Sequence, residues 1–143
     1  MPEVILRDYN PDNDFTQLSE VLKEADLFDS DYETPEKLAR WVEIQPGSII
    51  VPEVKGEIVG SIYLQDGIIP HIFRLAVRED YRKQGIGTEL LYEAERRAQV
   101  LGHDFVELFI APGHPELIEW YGKRGYEGRE QYTDMFKNLK QAS

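Results

Sequence analysis

The chain has 143 residues, 41% of them hydrophobic and 11% aromatic, which is typical of one folded domain with its own core. The sequence has no cysteine, which excludes disulfides and a catalytic thiol. Its three histidines are not spaced as metal ligands, so we expect no metal site. A formal net charge of −11 argues against nucleic-acid binding. The sequence shows neither a signal peptide nor the apolar run of ~20 residues that a membrane helix needs. We therefore expect a cytoplasmic protein that does not bind membranes.

The first third of the chain predicts a strand and two helices. In chain order these are a strand at 4–9, a helix at 15–25, an acidic and aromatic loop at 26–33, and a helix that ends at Pro46-Gly47. Thr34 and Pro35 are typical of the N-cap and the first residue of the second helix.

The rest of the chain predicts strands interrupted by two helices. Strands are expected at 49–54, 57–65, 68–77 and 105–110, helices at 89–101 and 115–124, and a last pair of strands at Tyr126 and 132–139. Gly102 is expected to cap the first of these helices. The order of elements predicts a single mixed α/β domain over residues 1–143.

A basic, glycine-rich segment joins the strand at 68–77 to the helix at 89–101; it reads Arg82-Lys83-Gln84-Gly85-Ile86-Gly87-Thr88. The first turn of a helix has unpaired N–H groups and a partial positive charge, and glycine lets a phosphate approach them. Residues 70–102 hold 5 acidic and 6 basic side chains, against 15 and 5 in residues 1–69. The segment therefore indicates a phosphate or pyrophosphate site; a helix that needs glycine for a tight turn is the alternative.

Two motifs resemble those of the GNAT superfamily of acetyl-CoA-dependent N-acetyltransferases. The first is Leu75-Ala-Val-x₄-Arg82-x-x-Gly85-x-Gly87, similar to the family's Arg/Gln-x-x-Gly-x-Gly/Ala motif and the strand before it. The second is Trp120-Tyr121-x₃-Gly125-Tyr126, similar to the family's aromatic ending. The resemblance implies a mostly antiparallel seven-stranded sheet with helices on both faces and a V-shaped splay between the fourth and fifth strands.

The resemblance also implies that acetyl-CoA is the cosubstrate. The backbone of Gln84 to Thr88, beside Arg82 and Lys83, would hold the pyrophosphate of coenzyme A. The backbone of the strand Leu75, Ala76 and Val77 would pair with the pantetheine arm, and an N–H near Leu75 would polarise the thioester carbonyl. The side chains of this strand are expected in the core.

Tyr121 corresponds to the family's general acid. A phenol with a pKa of ~10 stays protonated at neutral pH and can protonate a departing thiolate. The alternative is a tyrosine that packs in the core beside Leu117 and Ile118.

Two positions depart from the family's pattern. His114 stands where the family often has an asparagine that contacts pantetheine or water; it either donates the same hydrogen bond or only begins a helix. No carboxylate lies between Ile68 and Val77, where many members have their base. His71 is the candidate base there, with a structural histidine or a water route to solvent as the alternatives.

The loop at 26–33 corresponds to one wall of the family's acceptor site. Its acids and aromatic rings, above all Phe28, Asp29, Asp31 and Tyr32, favour a cationic amine, while an ordinary solvated loop remains the alternative. Arg74, among apolar neighbours, either faces this cleft or pairs with an acid.

The sequence therefore predicts an N-acetyltransferase that moves the acetyl group of acetyl-CoA to a primary amine of a cationic small molecule or peptide by direct attack. A coenzyme A-binding sensor or partner module without turnover is the alternative. A Walker-type nucleotide site is disfavoured by the glycine spacing, and a homodimer stays open.

Overall fold

The computed structural model describes residues 2–141 and divides into two compact units, one that ends at Phe109 and one that starts at Ile110. We describe each unit by itself. The single domain expected from the length stays a prediction. None of the described helices is long and apolar enough to cross a membrane.

The first unit contains β1 (Val4–Asp8), α1 (Phe15–Glu24), α2 (Pro35–Ile44), β2 (Ile49–Val54), β3 (Glu57–Ile58), β4 (Gly60–Gln65), β5 (His71–Val77), a 3₁₀ turn (Glu79–Tyr81) and α3 (Ile86–Val100). The second unit contains α4 (Pro115–Gly122) and a 3₁₀ turn (Leu139–Gln141). The strands pair antiparallel in the order β1-β2-β4-β5, and β3 pairs with β2. This confirms the expected mixed α/β class.

The helix ends follow the capping residues. The Thr34 hydroxyl accepts a hydrogen bond from the Lys37 N–H at 3.1 Å, and Pro35 is the first residue of α2. Gly102 has a φ of 98°, and the N–H of His103 donates to the Ala98 carbonyl at 3.0 Å, which closes the end of α3. Both predicted caps are confirmed.

Helices cover both faces of the sheet. On one face, Leu18 and Leu22 of α1 and Leu38 of α2 form a buried cluster with Val51 and Tyr63 of the sheet. On the other face, α3 packs against β2, β4 and β5. Successive strand residues point to opposite faces, so these strands are buried on both sides.

A β-bulge interrupts the ladder between β4 and β5. Ser61 pairs with Ala76 and Tyr63 pairs with Phe73, so Arg74 and Leu75 together stand opposite one residue of β4. The extra residue shifts the alternation of side chains by one position. Phe73 and Ala76 therefore belong to the same core cluster although they are three positions apart in the strand.

Two expected strands differ from the observed ones at prolines. The run at 57–65 forms two strands, because Pro52 of the neighbouring β2 has no N–H for the ladder and only its carbonyl accepts a bond from Val59. The run at 68–77 becomes a strand only at His71, directly after Pro70. Ile68, before that proline, is 98% exposed.

The sheet has five described strands where seven were expected. Residues 105–110 form no strand; they meet β5 in one parallel bridge between His71 and Glu107. The Ile72 N–H donates to the Glu107 carbonyl and the Glu107 N–H donates to the Pro70 carbonyl, both at 2.9 Å, and these two bonds make up the bridge. Residues 126–140 also contain no strand, since an isolated hairpin is marginal on its own and the apolar Met135 and Phe136 are exposed in the structure.

Arg97 connects α3 to the start of the sheet. Its guanidinium pairs with Glu93 one turn earlier, with Asp8 at the end of β1, and with the Gly47 carbonyl before β2 at 3.0 Å. One side chain thus joins three segments that are distant in sequence.

We predict that Gly60→Ala lowers the free energy of unfolding by ~1–3 kcal/mol, the usual effect of overpacking a core. A Cβ atom at Gly60 would lie 2.6 Å from the Ala76 carbonyl oxygen and 3.0 Å from Pro52 Cγ. Urea denaturation measures the change. Gly67→Ala is the matched control, because the nearest atom to its added Cβ is 3.8 Å away; equal stability of the two variants would contradict the prediction.

Candidate active site

The glycine-rich segment forms the exposed N-terminus of α3. Gly85 is the N-cap residue, with a φ of 85° in the left-handed region that favours glycine. It has no side chain with which to cap the helix, and the first intrahelical hydrogen bond runs from the Glu89 N–H to the Gly85 carbonyl at 3.0 Å. The amides before Glu89 thus lie at the positive end of the helix dipole, as an anion site requires.

Two cations lie beside this helix end. Arg82 and Lys83 are both exposed, and Lys83 has a φ of 63° in the left-handed region. The Nε of Arg82 donates to the Val77 carbonyl at 2.9 Å, so this side chain joins the end of β5 to the start of the loop. Glu89 in the first turn of α3 is the opposing negative charge.

The end of β5 combines a buried side-chain face with an altered backbone. Ala76 is buried, and Leu75 and Val77 are partly buried, as expected for core side chains. The bulge removes Arg74 and Leu75 from regular pairing with β4. A backbone released in this way can direct a hydrogen-bonding group at a ligand.

His71 lies at the bridge between β5 and residues 105–109. Its ring is partly buried, with centroids 5.2 Å from the ring of Phe73 and 5.0 Å from that of Phe109. Burial lowers its pKa below the usual 6.5, and the charge and backbone hydrogen bond of Glu107 oppose this only in part. His71 is therefore neutral at pH 7 and able to accept a proton.

Tyr121 belongs to the second unit, near the end of α4. It is partly buried, and its ring lies 5.0 Å from Trp120 and 5.5 Å from Tyr126 between centroids, edge-on to both. Burial raises the pKa of Tyr121 to about 12. The phenol is thus fully protonated at neutral pH and can act only as a proton donor there.

His114 is the N-cap residue of α4 in the same unit. Its Nδ1 lies 3.2 Å from a carboxylate oxygen of Glu116, and its side chain is half exposed. Both of its sequence interpretations are compatible with this position, because Nε2 points away from the contact with Glu116 and can meet a ligand.

The predicted acceptor residues are placed differently within the loop 26–33. Phe28 packs against the core cluster, with the Lys23 ammonium 4.9 Å from its ring centre. Asp29 accepts a hydrogen bond from the Asp31 N–H at 2.8 Å and is partly buried. Asp31 and Tyr32 are exposed, so they are the accessible ones among these four residues.

The sequence did not identify the partner of Arg74. Its guanidinium pairs with Glu33, whose carboxylate is almost completely buried, so the second of the two expectations for Arg74 is the correct one. The unusual position of an arginine among apolar strand residues was the available signal. Glu33 could not be distinguished from its three acidic neighbours in the loop.

The first unit thus brings together the end of β5, the glycine-rich segment and the loop 26–33. Arg82 connects the first two through the Val77 carbonyl, and Arg74 connects the first and the third through Glu33. These contacts connect the bulged strand β5 to the N-terminus of α3 and to the loop 26–33. Tyr121 and His114 lie in the second unit.

Comparisons with known proteins agree on one family. Residues 13–126 match the family described as "Acetyltransferase (GNAT) family". The chain is 27% identical over 128 residues to an acetyltransferase of Sodalis glossinidius, covering 89% of this chain and 90% of that protein. It is 39% identical over 93 residues to the S-(2-succino)cysteine N-acetyltransferase of Bacillus subtilis, covering 58% of this chain.

The chain spans only 56% of the length of that Bacillus protein and of a second curated relative. Among solved structures, it is similar to the PaiA N-acetyltransferase of Thermoplasma acidophilum in complex with coenzyme A. The TM-score is 0.76 at 20% identity, covering 91% of this chain and 93% of that one. At this identity the likeness concerns the fold.

We predict that Gly87→Glu weakens coenzyme A binding by at least ~10-fold, because it adds bulk and a negative charge at the positive end of α3. Isothermal titration calorimetry with coenzyme A measures the affinity. Gln99→Glu, an exposed position near the other end of the same helix, is the matched control. Unchanged affinity in a folded Gly87→Glu variant would place the anion elsewhere.

Proposed function

Because the chain belongs to the GNAT acetyltransferase family, we propose that it is an N-acetyltransferase that moves the acetyl group of acetyl-CoA directly to a primary amine. The observation that carries this proposal is the open N-terminus of α3, with Gly85 as its cap and two exposed cations, directly after a bulged strand end. An acetyl-CoA consumption screen over amine libraries, including polyamines, amino acids and peptides, tests the activity.

We propose that residues 84–88 bind the pyrophosphate of acetyl-CoA through backbone N–H groups. Arg82 and Lys83 add positive charge, which matters in a chain with a net charge of −11. The backbone of Leu75 to Val77 then holds the pantetheine arm, and the Leu75 N–H points at the thioester oxygen. A donor fixed there stabilises the negative charge that develops during attack.

The proposed reaction is a direct displacement. The neutral amine nitrogen attacks the thioester carbonyl carbon, and the new C–N bond forms as the C–S electron pair leaves to sulfur. The nitrogen loses one proton and the sulfur gains one, so the products are the amide and free coenzyme A. The sequence has no cysteine that could carry the acetyl group in a covalent intermediate.

Tyr121 is the proposed proton donor to the sulfur. Its raised pKa keeps the phenol protonated at neutral pH, so its O–H is available to hydrogen-bond the sulfur and to donate a proton as negative charge develops there. His114, at the start of the same helix, is proposed to hydrogen-bond the pantetheine arm. The role of Tyr121 comes from the motif that ends in Gly125-Tyr126, and that of His114 from the position where the family often has an asparagine.

His71 is the proposed acceptor of the amine proton. Its lowered pKa makes it neutral at pH 7, and it precedes Leu75 by four residues on the same strand. Water that carries the proton to solvent is the alternative route, since the packing of the ring between two phenylalanines also fits a structural role.

The acceptor is proposed to be a primary amine on a small molecule or peptide. Asp31 and Tyr32 offer a carboxylate and an aromatic face to a cationic amine. The Bacillus relative is named for an amine that belongs to a modified amino acid. The choice of acceptor, a homodimer and a cytoplasmic location stay predictions.

We predict that Tyr121→Phe lowers kcat by about 100-fold, a typical contribution of one general acid, and changes the KM for acetyl-CoA less than threefold. Steady-state kinetics with an amine from the screen separates the two constants. Tyr126→Phe, the neighbouring ring, is the matched control and should retain most of the activity. Equal effects on kcat and KM would indicate a packing role for Tyr121.

The same variant separates the proposed enzyme from a coenzyme A-binding module. An enzyme loses turnover in Tyr121→Phe while it keeps cofactor affinity. A binding module shows coenzyme A affinity in the wild-type protein but no acetyl transfer to any amine in the screen, and the variant then changes nothing.

We predict that kcat/KM for the amine shows, besides the ionisation of the amine itself, one ionisation below 6.5 through which it falls as the pH decreases, because protonated His71 cannot accept the amine proton. The direction follows from burial, which lowers its pKa. A pH profile of His71→Asn should lack this ionisation, whereas His103→Asn, the same change at a histidine paired with Asp66, should keep it. An identical profile in His71→Asn would favour the water route.

A further inference from the structure

A buried ion pair joins the loop 26–33 to the bulge in β5. The Nε of Arg74 lies 3.2 Å from one carboxylate oxygen of Glu33, and its Nη2 lies 3.4 Å from the other. The side chain of Glu33 is 2% exposed and that of Arg74 is 17% exposed. This two-point contact between partners 41 residues apart fixes direction as well as distance.

The Glu33 carboxylate also closes the turn of its own loop. It accepts a hydrogen bond from the Asp29 N–H at 2.9 Å, and the Glu33 N–H donates to the Asp29 carbonyl at 2.7 Å. The hydroxyl of Tyr63 on β4 donates to the same carboxylate at 3.4 Å. One carboxylate thus holds the conformation of the loop and attaches it to two strands of the sheet.

Arg74 has a role in the bulge as well. Its φ of 55° lies in the left-handed region, which is unfavourable for a residue with a long side chain and persists only where the surroundings enforce it. Its carbonyl accepts a hydrogen bond from the Ser61 hydroxyl at 2.8 Å, and its guanidinium lies 5.7 Å from the ring centre of Tyr32. The residue before Leu75 is therefore held by both backbone and side chain.

We propose that the Arg74–Glu33 pair is a positioning device that fixes the loop 26–33 beside Leu75 and thereby sets the affinity for the acceptor amine. This inference rests on the proposed function, in which the thioester carbonyl lies at the Leu75 N–H. An amine that attacks there passes next to the loop that Arg74 holds. The proposed pyrophosphate site at residues 84–88 contains neither partner of the pair, so loss of the ion pair should weaken binding of the amine more than binding of acetyl-CoA.

Three variants test the pair. Glu33→Gln keeps the size of the side chain and removes its charge. Arg74→Gly removes the guanidinium while glycine readily adopts a φ of 55°, so the bulge is kept. Arg74→Lys keeps the charge but loses the two-point contact. Lys55→Gly is the matched control, an exposed hairpin residue with a φ of 52°.

We expect the amine KM to rise at least ~10-fold in Glu33→Gln and Arg74→Gly, and less in Arg74→Lys, with the acetyl-CoA KM within about twofold of wild type. In the double variant Glu33→Gln/Arg74→Gly, the amine KM should rise hardly more than in either single variant, because the partners act as one unit. Hydrogen–deuterium exchange should accelerate at residues 26–33 but not at 85–89. Lys55→Gly should change none of these values.

Three results would overturn the inference. An acetyl-CoA KM that rises as much as the amine KM would mean that the pair only supports the fold, and so would faster exchange of the loop with an unchanged amine KM. Unchanged hydrogen–deuterium exchange at residues 26–33 in both Glu33→Gln and Arg74→Gly would show that the pair does not hold the loop. That measurement needs no turnover, so it is read separately from the proposed function, which fails if wild-type protein acetylates no amine.

Discussion

The extra residue in β5 is the constraint on which the arrangement of this unit depends. Between Phe73 and Ala76 the strand advances three residues while β4 advances two. The core remains continuous because the side chains on both sides of the bulge, Phe73 and Ala76, pack in the same buried cluster. The backbone of Arg74 and Leu75 leaves the regular ladder as a result, and pairing with β4 resumes at Ala76 and Val77 before the strand ends.

Three separate parts of the sequence meet at this strand end because of side chains that reach across to it. Arg82 attaches the segment before α3 to the Val77 carbonyl, and Arg74 attaches the loop between α1 and α2 through Glu33. Both connections use arginine, whose planar group can make several directed hydrogen bonds at once. A positively charged helix terminus and an acidic loop therefore lie on either side of one strand, in a chain that is acidic as a whole.

Local signals in the sequence were sufficient to predict the helices and the position of the glycine-rich segment at the start of one of them. Thr34-Pro35 and Gly102 act on residues within one helical turn of themselves, so their roles can be inferred without knowledge of the fold. The bulge could not be inferred in this way, since it is defined by the pairing of two strands. The partner of Arg74 could not be inferred either, because Glu33 is 41 residues away and its sequence context does not distinguish it from its acidic neighbours. The strand expected at 105–110 has the right composition but only one bridged residue.

Arg97 has a consequence for the kinetics of the fold. Its bonds to Asp8 and to the Gly47 carbonyl span 89 and 50 residues, so they can form only after β1, β2 and α3 have assembled. Contacts made after the rate-limiting step leave the folding rate almost unchanged and slow the opposite process. We therefore expect Arg97 to slow unfolding more than it speeds folding.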